Sequence, residues 1–464
     1  MLFTETAPHW RPRLSVVGLG KLGSPLAAVL AKKGFNVIGL DANRQFVAAL
    51  NAGRAPVAEP LLQDFIDENK ERLRATADYR DAILNSDVSF IIVPTPSGSD
   101  GFFSNRNVVA AVESIGAVLC RKRTYHLVVV TSTVMPGSTE GEIKEALERS
   151  SGRCVGETVG LCYNPEFIAL GSVIEDLLAP DFILIGESDE RAGSLLAAIY
   201  NKTCDNSPTV LRMNLVNAEL CKISVNTFVT TKISYANTLA AMCDRLPGAD
   251  VDVVTQAVGH DTRIGGKYLK GAVGYGGPCF PRDNKAFAAL GGSLGVRCDL
   301  AEATDAINDH QIERLHDAVV ARSQPGDTIG ILGLSYKPGT GVFEESQGFA
   351  LALSLARAGY AVHVFDPLAL EGAMAVLGHN VTAAESAELC AIRGDVLVIT
   401  TPWMEFASLP PNALKAVRRK TVIDPWRILD ACVYETVADV IHLGKGDMRP
   451  LPARIRSKAS GQNI

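Results

Sequence analysis

The strongest constraint on the fold is a glycine pattern held between two short apolar runs. Leu14 to Gly18 reads as a strand and leads directly into Gly18-Leu19-Gly20-Lys21-Leu22-Gly23; an alanine-rich helical stretch follows from Ser24 to Lys33, then a second strand from Asn36 to Leu40 that ends in Asp41. Glycines so placed let the backbone turn tightly and approach a pyrophosphate at a helix N-terminus, and an acid closing the second strand can bind a ribose diol. This order predicts a doubly wound α/β unit that binds a dinucleotide through Gly18, Gly20, Lys21, Leu22, Gly23 and Asp41. A carboxylate at Asp41 would repel a 2′-phosphate, so the expected cofactor is NAD rather than NADP. A glycine turn in another α/β fold is the competing reading.

More strands follow, and their C-terminal ends are the ligand edge of an open parallel sheet. Asp87 to Val93 ends at Pro94-Thr95-Pro96, and His126 to Val130 ends at Thr131-Ser132-Thr133. Thr95 and Thr133 are read either as ligand contacts or as turn caps. Leu161-Cys162-Tyr163 runs into Asn164-Pro165-Glu166-Phe167, which makes Glu166 a candidate general base; a solvated loop acid is the plainer alternative.

Further on, Gly274 to Asp283 reads Gly-Tyr-Gly-Gly-Pro-Cys-Phe-Pro-Arg-Asp. Three glycines and two prolines in ten residues predict a shaped loop throughout. Cys279 in its middle is a candidate nucleophile, with Arg282 and Asp283 close by, or else a small buried apolar residue. Upstream, Asn214 to Arg245 holds neither Gly nor Pro, and between Leu220 and Cys243 the only charges are Lys222 and Lys232. So apolar a helix belongs at the centre of the molecule or in a subunit interface, buried on most sides. Lys222 and Asn226 share one of its faces; if that face looks at Cys279 they offer a proton acceptor and an oxyanion donor, and a snorkelling lysine is the alternative. Arg263, Lys267 and Lys270 suit an anionic substrate, or are a solvated basic loop.

A length of 464 residues suggests about three units. A net charge of −6 without a basic block argues against a nucleic-acid partner. The ten cysteines never form CxxC, which argues against zinc or a disulfide framework and for reduced thiols in a cytoplasmic enzyme. No uncharged run is long enough to span a bilayer, so no membrane insertion is expected. The chain also repeats itself: Lys33 to Asp41 is echoed by Ala358 to Asp366, and Asp87 to Thr95 by Asp395 to Thr401. A second Rossmann-like unit is therefore predicted. Its opening strand, Thr328 to Leu332, runs into Gly333-Leu334-Ser335-Tyr336-Lys337 instead of GxGxxG, so its ligand should not be a second dinucleotide. The expected organisation is an NAD-binding Rossmann domain at 1–210, a central helical domain with one long helix at 211–315, a second Rossmann-like domain at 316–450 and a disordered tail at 451–464.

Taken together, the chain resembles the UDP-glucose/GDP-mannose dehydrogenase family along nearly its whole length. The resemblance rests on the glycine loop with Asp41, Val93 to Pro96, Ser132-Thr133-Val134, Asn164 to Phe167, Ala218 to Asn226, Asp261 to Gly265, the Cys279 loop, Gly333 to Lys337 and Asp366-Pro367. Gly-Tyr-Gly-Gly before Cys279 and Phe-Pro after it are closest to the UDP-glucose branch. The resemblance implies oxidation of a sugar C6 alcohol to a carboxylate in two hydride transfers, with Cys279 carrying a thiohemiacetal and then a thioester. Lys222 and Asn226 would serve the alcohol and oxyanion, Asp283 with Thr133 the water, and Glu166 thioester hydrolysis. Phe167, Tyr268, Leu269, Lys270, Gly274, Gly276 and Lys337 would contact the substrate, and Arg263 would reach it from a neighbouring subunit, which implies a homodimer or larger.

The chain departs from the family pattern at Leu170 and Glu344, where Glu and Arg are usual and where cofactor-facing residues are expected. It departs also at Gly341-Val342 for an acidic pair, Trp426 for an arginine and Arg282 for a lysine. Two other readings stay open: a two-electron hydroxyacid dehydrogenase of the 6-phosphogluconate type, and a weakened paralogue that binds nucleotide sugar without turning it over.

Overall fold

A computed structural model of the chain describes residues 11–446. Two sheets dominate it. The first contains β1 (Leu14–Val17), β2 (Val37–Leu40), β3 (Leu73–Thr76), β4 (Val88–Ile91), β5 (His126–Val130), β6 (Val159–Tyr163), β7 (Phe182–Glu187) and β8 (Thr209–Asn214). They lie in the order β3-β2-β1-β4-β5-β6-β7-β8, all neighbours parallel except β6 with β7. The second contains β9 (Thr328–Leu332), β10 (Ala361–Phe365), β11 (Thr382–Ala383), β12 (Val396–Ile399), β13 (Lys420–Ile423) and β14 (Ala438–Ile441), in the order β11-β10-β9-β12-β13-β14. Both orders place the opening strand of the sheet third and reverse direction beside it, which opens a crevice at its C-terminal end.

The repeat predicted from the sequence is thus real, and its registers agree: Val17 lies between Leu40 and Ile91, and Leu332 between Phe365 and Ile399. Parallel strands covered by helices on both faces must be apolar on both faces. Leu14 and Val16 accordingly enter one core and Val17 the other, while Ile329 and Ile331 enter one core and Leu332 the other.

The described residues divide into two compact units at Ser224 and Val225, inside a helix of 29 residues, Leu215–Cys243, called here the central helix. Its second half is less covered than the sequence suggested. Phe228, Tyr235 and Met242, spaced at seven residues, are 63%, 53% and 55% exposed and make an apolar stripe on one face. No helix among the described residues is long and apolar enough to cross a membrane.

One expectation is corrected. The Cys279 stretch is a loop only as far as the cysteine; Phe280–Ser293 is a helix, with Pro281 in its first turn. A proline there loses no hydrogen bond, because the first N–H groups of a helix have no intrahelical partner. The expected tail at 451–464 lies outside the described residues.

Candidate active site

At the end of β1 the three loop glycines answer to different constraints. Gly18 has φ +100°, and a Cβ there would lie 2.1 Å from the Ile92 carbonyl oxygen; a Cβ at Gly23 would lie 1.7 Å from the Gly18 oxygen. Those two glycines are required by the fold itself. A Cβ at Gly20 would meet no protein atom within 4 Å, so a glycine there leaves room for something outside the chain. Beside it, Asp41 accepts from Leu19 N at 2.6 Å and from Asn43 N at 2.7 Å and stays partly open. Lys21 is exposed, and Leu22 precedes the helix Gly23–Lys32. An open cradle at a helix N-terminus with an acid next to it fits a dinucleotide.

The next two strand ends are tied to one another. The Thr95 hydroxyl donates to Thr133 O at 2.7 Å, and Ser132 Oγ accepts from Val93 N at 2.9 Å. The Thr95 hydroxyl thus helps to hold the Thr133 segment in place. Glu219, fully buried on the central helix, fastens the turn beyond Thr133 by accepting from Gly137 N at 2.6 Å and Thr139 N at 2.8 Å. Burial pushes its carboxyl pKa up, against the pull of these N–H groups.

Glu166 follows β6. Its side chain keeps some surface open, but protein surrounds the carboxyl, and this desolvation raises its pKa to about 7 against the attraction of Lys222. Lys222, 7% exposed, donates to the Glu166 carbonyl oxygen at 2.5 Å and lies 4.6 Å from the centre of the Phe167 ring. The structure thus brings Glu166, Phe167 and Lys222 together. It adds residues that the sequence reading passed over. Tyr200, from the helix Glu190–Thr203, reaches both Asn164 and Glu166, and Glu59 accepts from Gly171 N at 3.0 Å and Val173 N at 2.8 Å, which anchors the segment after Phe167. Neither stands in a recognisable pattern, because each acts through a contact distant in sequence.

In the second unit, Cys279 is exposed at the end of a run that is otherwise mostly buried, and it caps the N-terminus of the helix Phe280–Ser293. A thiol so placed lies at the positive end of the helix. One turn on, Asp283 is 1% exposed and accepts from Asn226 Nδ2 at 2.6 Å; Arg282 Nε lies 3.3 Å from its other oxygen. Asn226 and Asp283 are therefore joined, and Lys222 stands one turn before Asn226 on the central helix.

The loop ahead of Cys279 is braced on two sides. Asn308 accepts from Tyr275 N at 2.7 Å and donates to Tyr275 O at 3.0 Å, and the Tyr275 hydroxyl donates to Asp305 at 2.6 Å. A Cβ at Gly276 would lie 2.2 Å from Glu345 O, and Gly277 N donates to Glu344 O at 3.0 Å. Gly274 is similarly hemmed in by Asn308 and Gln347.

Other expected residues are engaged locally. Arg263, 86% exposed along its side chain, pairs with Asp261, and Lys270 pairs with Asp252 at 2.7 Å. Arg427 bridges Asp250 at 2.6 Å and Asp252 at 3.1 Å, and the Trp426 indole donates to Thr400 O at 2.9 Å. Tyr268 is half exposed with φ +65°, Leu269 is buried, and Lys337 is half-buried. Of the departures, Leu170 packs against the first core, and Glu344 is exposed.

Comparison with known proteins bears on this arrangement. The UDP-glucose/GDP-mannose dehydrogenase family's NAD binding domain matches residues 12–204, its central domain 216–310 and its UDP binding domain 330–431. A UDP-glucose 6-dehydrogenase of Haloferax volcanii is 37% identical over 90% of this chain and 97% of its own length. The UDP-glucose 6-dehydrogenase of Pseudomonas aeruginosa is 32% identical over 97% of this chain and all of its own. A solved UDP-glucose dehydrogenase from Pyrobaculum islandicum, 34% identical, superposes with a TM-score of 0.85 over 95% of this chain and 99% of its own. An open dinucleotide cradle, a second Rossmann-like unit without one and a thiol at a helix N-terminus are therefore features of a member of the UDP-glucose/GDP-mannose dehydrogenase family, an NAD-binding oxidoreductase of nucleotide sugars.

Proposed function

We propose that the chain oxidises the C6 hydroxyl of UDP-glucose to UDP-glucuronate through a covalent intermediate on Cys279. The observation that carries this reading is the exposed thiol at the N-terminus of the helix Phe280–Ser293, with the buried Asn226–Asp283 pair one turn away. The Haloferax and Pseudomonas relatives, each a UDP-glucose 6-dehydrogenase by name, support UDP-glucose as the sugar. In function the chain has three parts, an NAD domain at 1–210, a helical domain at 211–315 and a nucleotide-sugar domain at 316–450.

NAD, when bound, supplies the hydride acceptor for each of the two oxidations. The chain's own groups handle the protons and the oxygen. Lys222, in its neutral amine form, takes the proton of the C6 hydroxyl in the first oxidation and becomes an ammonium. The Cys279 thiolate then adds to the aldehyde carbon; a C–S bond forms, and the oxygen becomes the alkoxide of a thiohemiacetal, held by Asn226 and Lys222. Loss of the second hydride from that carbon leaves a thioester. A water positioned by Asp283 and Thr133 attacks it while Glu166 removes one water proton; the C–S bond breaks, the thiolate leaves, and the carboxylic acid formed gives its remaining proton to solvent as the carboxylate. With a pKa near neutrality, Glu166 suits that role. Tyr268, Leu269, Lys270, Gly274, Gly276 and Lys337 hold the nucleotide sugar. The chain acts as a homodimer or larger, with the Phe228, Tyr235 and Met242 stripe as a shared face and Arg263 reaching the neighbour's sugar.

The test is the purified protein with NAD and, separately, UDP-glucose, UDP-galactose, UDP-N-acetylhexosamines and GDP-mannose. Two NADH per UDP-glucose and none from the others is the expected result. One NADH per sugar would sink the four-electron reading, and oxidation of another sugar alone would move the substrate. Cys279→Ser should abolish uronate formation while leaving UDP-glucose binding intact.

A further inference from the structure

A backbone carbonyl fixes the direction of a hydrogen-bond chain that ends at Glu166. Asn164 is 2% exposed, and its Nδ2 donates to Leu184 O at 2.8 Å. A carbonyl oxygen can only accept, so this bond settles which end of the amide is which and leaves Asn164 Oδ1, an acceptor, facing Tyr200. The Tyr200 hydroxyl lies 2.5 Å from Asn164 Oδ1 and 3.4 Å from Glu166 Oε1. It has one proton. The short contact is a full hydrogen bond and the long one sits at the outer limit, so the proton goes to Asn164. What Tyr200 then turns toward Glu166 is a lone pair, and a lone pair is a partner for a carboxylic acid O–H and a poor one for a carboxylate.

We propose that Tyr200, oriented by Asn164 and through it by Leu184 O, is a positioning residue that favours the protonated form of Glu166 over its carboxylate, so that the two forms are balanced where the base must both release and accept a proton. This deepens the reading of Glu166 as the base of thioester hydrolysis and rests on it. Tyr200 is 2% exposed, so water does not compete for the arrangement. Other groups bear on Glu166 from the elements packed around it. Lys222 on the central helix favours the ionised form. Cys204, just past the helix that carries Tyr200, has its own pKa raised to about 11 by burial and by Glu166, and so it stays a neutral thiol. Lys33 and Asp205 beyond it pair with each other. Burial and the Tyr200 lone pair therefore oppose Lys222, and Glu166 can release its proton and take another close to neutral pH.

The sign of the effect is what tests the idea. The Glu166 carboxyl is followed directly in the apoprotein by infrared difference spectroscopy of its protonated C=O stretch, with Glu166→Gln as the blank, and independently as the acid limb of kcat. Tyr200→Phe removes the lone pair and should shift the Glu166 pKa down by roughly half a unit or more. Asn164→Ala frees the Tyr200 proton to donate to the carboxylate, and should lower it further; this second variant serves where Tyr200→Phe fails to fold. An unchanged or upward shift in Tyr200→Phe, or no shift in Asn164→Ala, means that Tyr200 already donates to Glu166 and overturns the proposal. The spectroscopic titration stands apart from turnover. If Glu166→Gln keeps the acid limb of kcat, the role given to Glu166 in hydrolysis is wrong, whichever way Tyr200 points.

Discussion

Gly18 and Gly333 end the first strand of their sheets and both take left-handed φ angles, +100° and +109°. Five residues after the first and fifteen after the second, Gly23 and Gly348 leave no space for a Cβ, which would lie 1.7 Å from Gly18 O and 2.1 Å from Gly333 O. Leu19 N and Leu334 N both donate to the acid that closes the second strand, Asp41 in one unit and Asp366 in the other. Past this point the two units diverge. The ten additional residues of the second turn bring the backbone of Glu344 and Glu345 against Gly276 and Gly277 of the Cys279 loop. Asp366, 1% exposed, also accepts from Ser335 N, Ser335 Oγ, Leu368 N, Ala369 N and the Trp403 indole, so its lone pairs are committed to the fold. Close approach of two glycines is a demand of the architecture; an acid that stays partly open and a glycine facing empty space are the marks of a ligand.

Substitutions at these glycines and acids separate the two demands. The largest expected effect is that of Gly23→Ala and Gly348→Ala, each losing about 3 kcal/mol or more of stability because the clash is with backbone. Thermal melts check this, and a tolerated Gly348→Ala would end the claim that the turns are equivalent. Asp366→Asn should cost about 2–4 kcal/mol, since a buried acceptor of several N–H groups is replaced in part by a donor. Asp41→Asn, which loses one of two accepted N–H bonds at a partly open site, should cost about 1 kcal/mol in the melt and raise the Kd for NAD about tenfold, about 1.4 kcal/mol by titration calorimetry. Gly20→Ala should change stability by less than ~0.5 kcal/mol while weakening NAD, the reverse of Gly23→Ala. The smallest effect concerns pH and the first unit. The raised pKa of Glu166 means that the folded state holds its proton longer than the unfolded state does, so the stability this supplies is complete below pH ~4.5 and is lost as pH rises through about 7. Glu166→Gln should therefore gain in relative melting temperature between pH 5 and 8, and a constant difference would mean that the carboxyl is not held protonated.

The repeat, the strand ends and the glycine turn could be read from the sequence, because they depend on apolar runs and on residues with unusual backbone freedom, and these are properties of neighbours in the chain. Cys279, Asn226 and Asp283 could be named from the pattern around them. That Phe280 to Asp283 open a helix was not legible, since a proline tolerated in a first turn reads the same as a proline in a loop. The roles of Tyr200, Glu59 and Asn308 were hidden for a different reason. Each is set by partners far along the chain, Tyr200 by Asn164, Glu59 by Gly171 and Asn308 by Tyr275, and side-chain hydrogen bonds over such separations leave no periodic trace.

Asn308 has a consequence for how the thiol is presented over time. By accepting from Tyr275 N and donating to Tyr275 O, its amide acts on that residue as the next strand of a sheet would. The Tyr275 amide hydrogen should therefore exchange with deuterium as slowly as one in a strand, although the segment has no regular structure. The glycine-rich run just before Cys279 is a loop by shape and part of the scaffold by rigidity, so the thiol is carried to its place on the folded framework without waiting for a loop to settle.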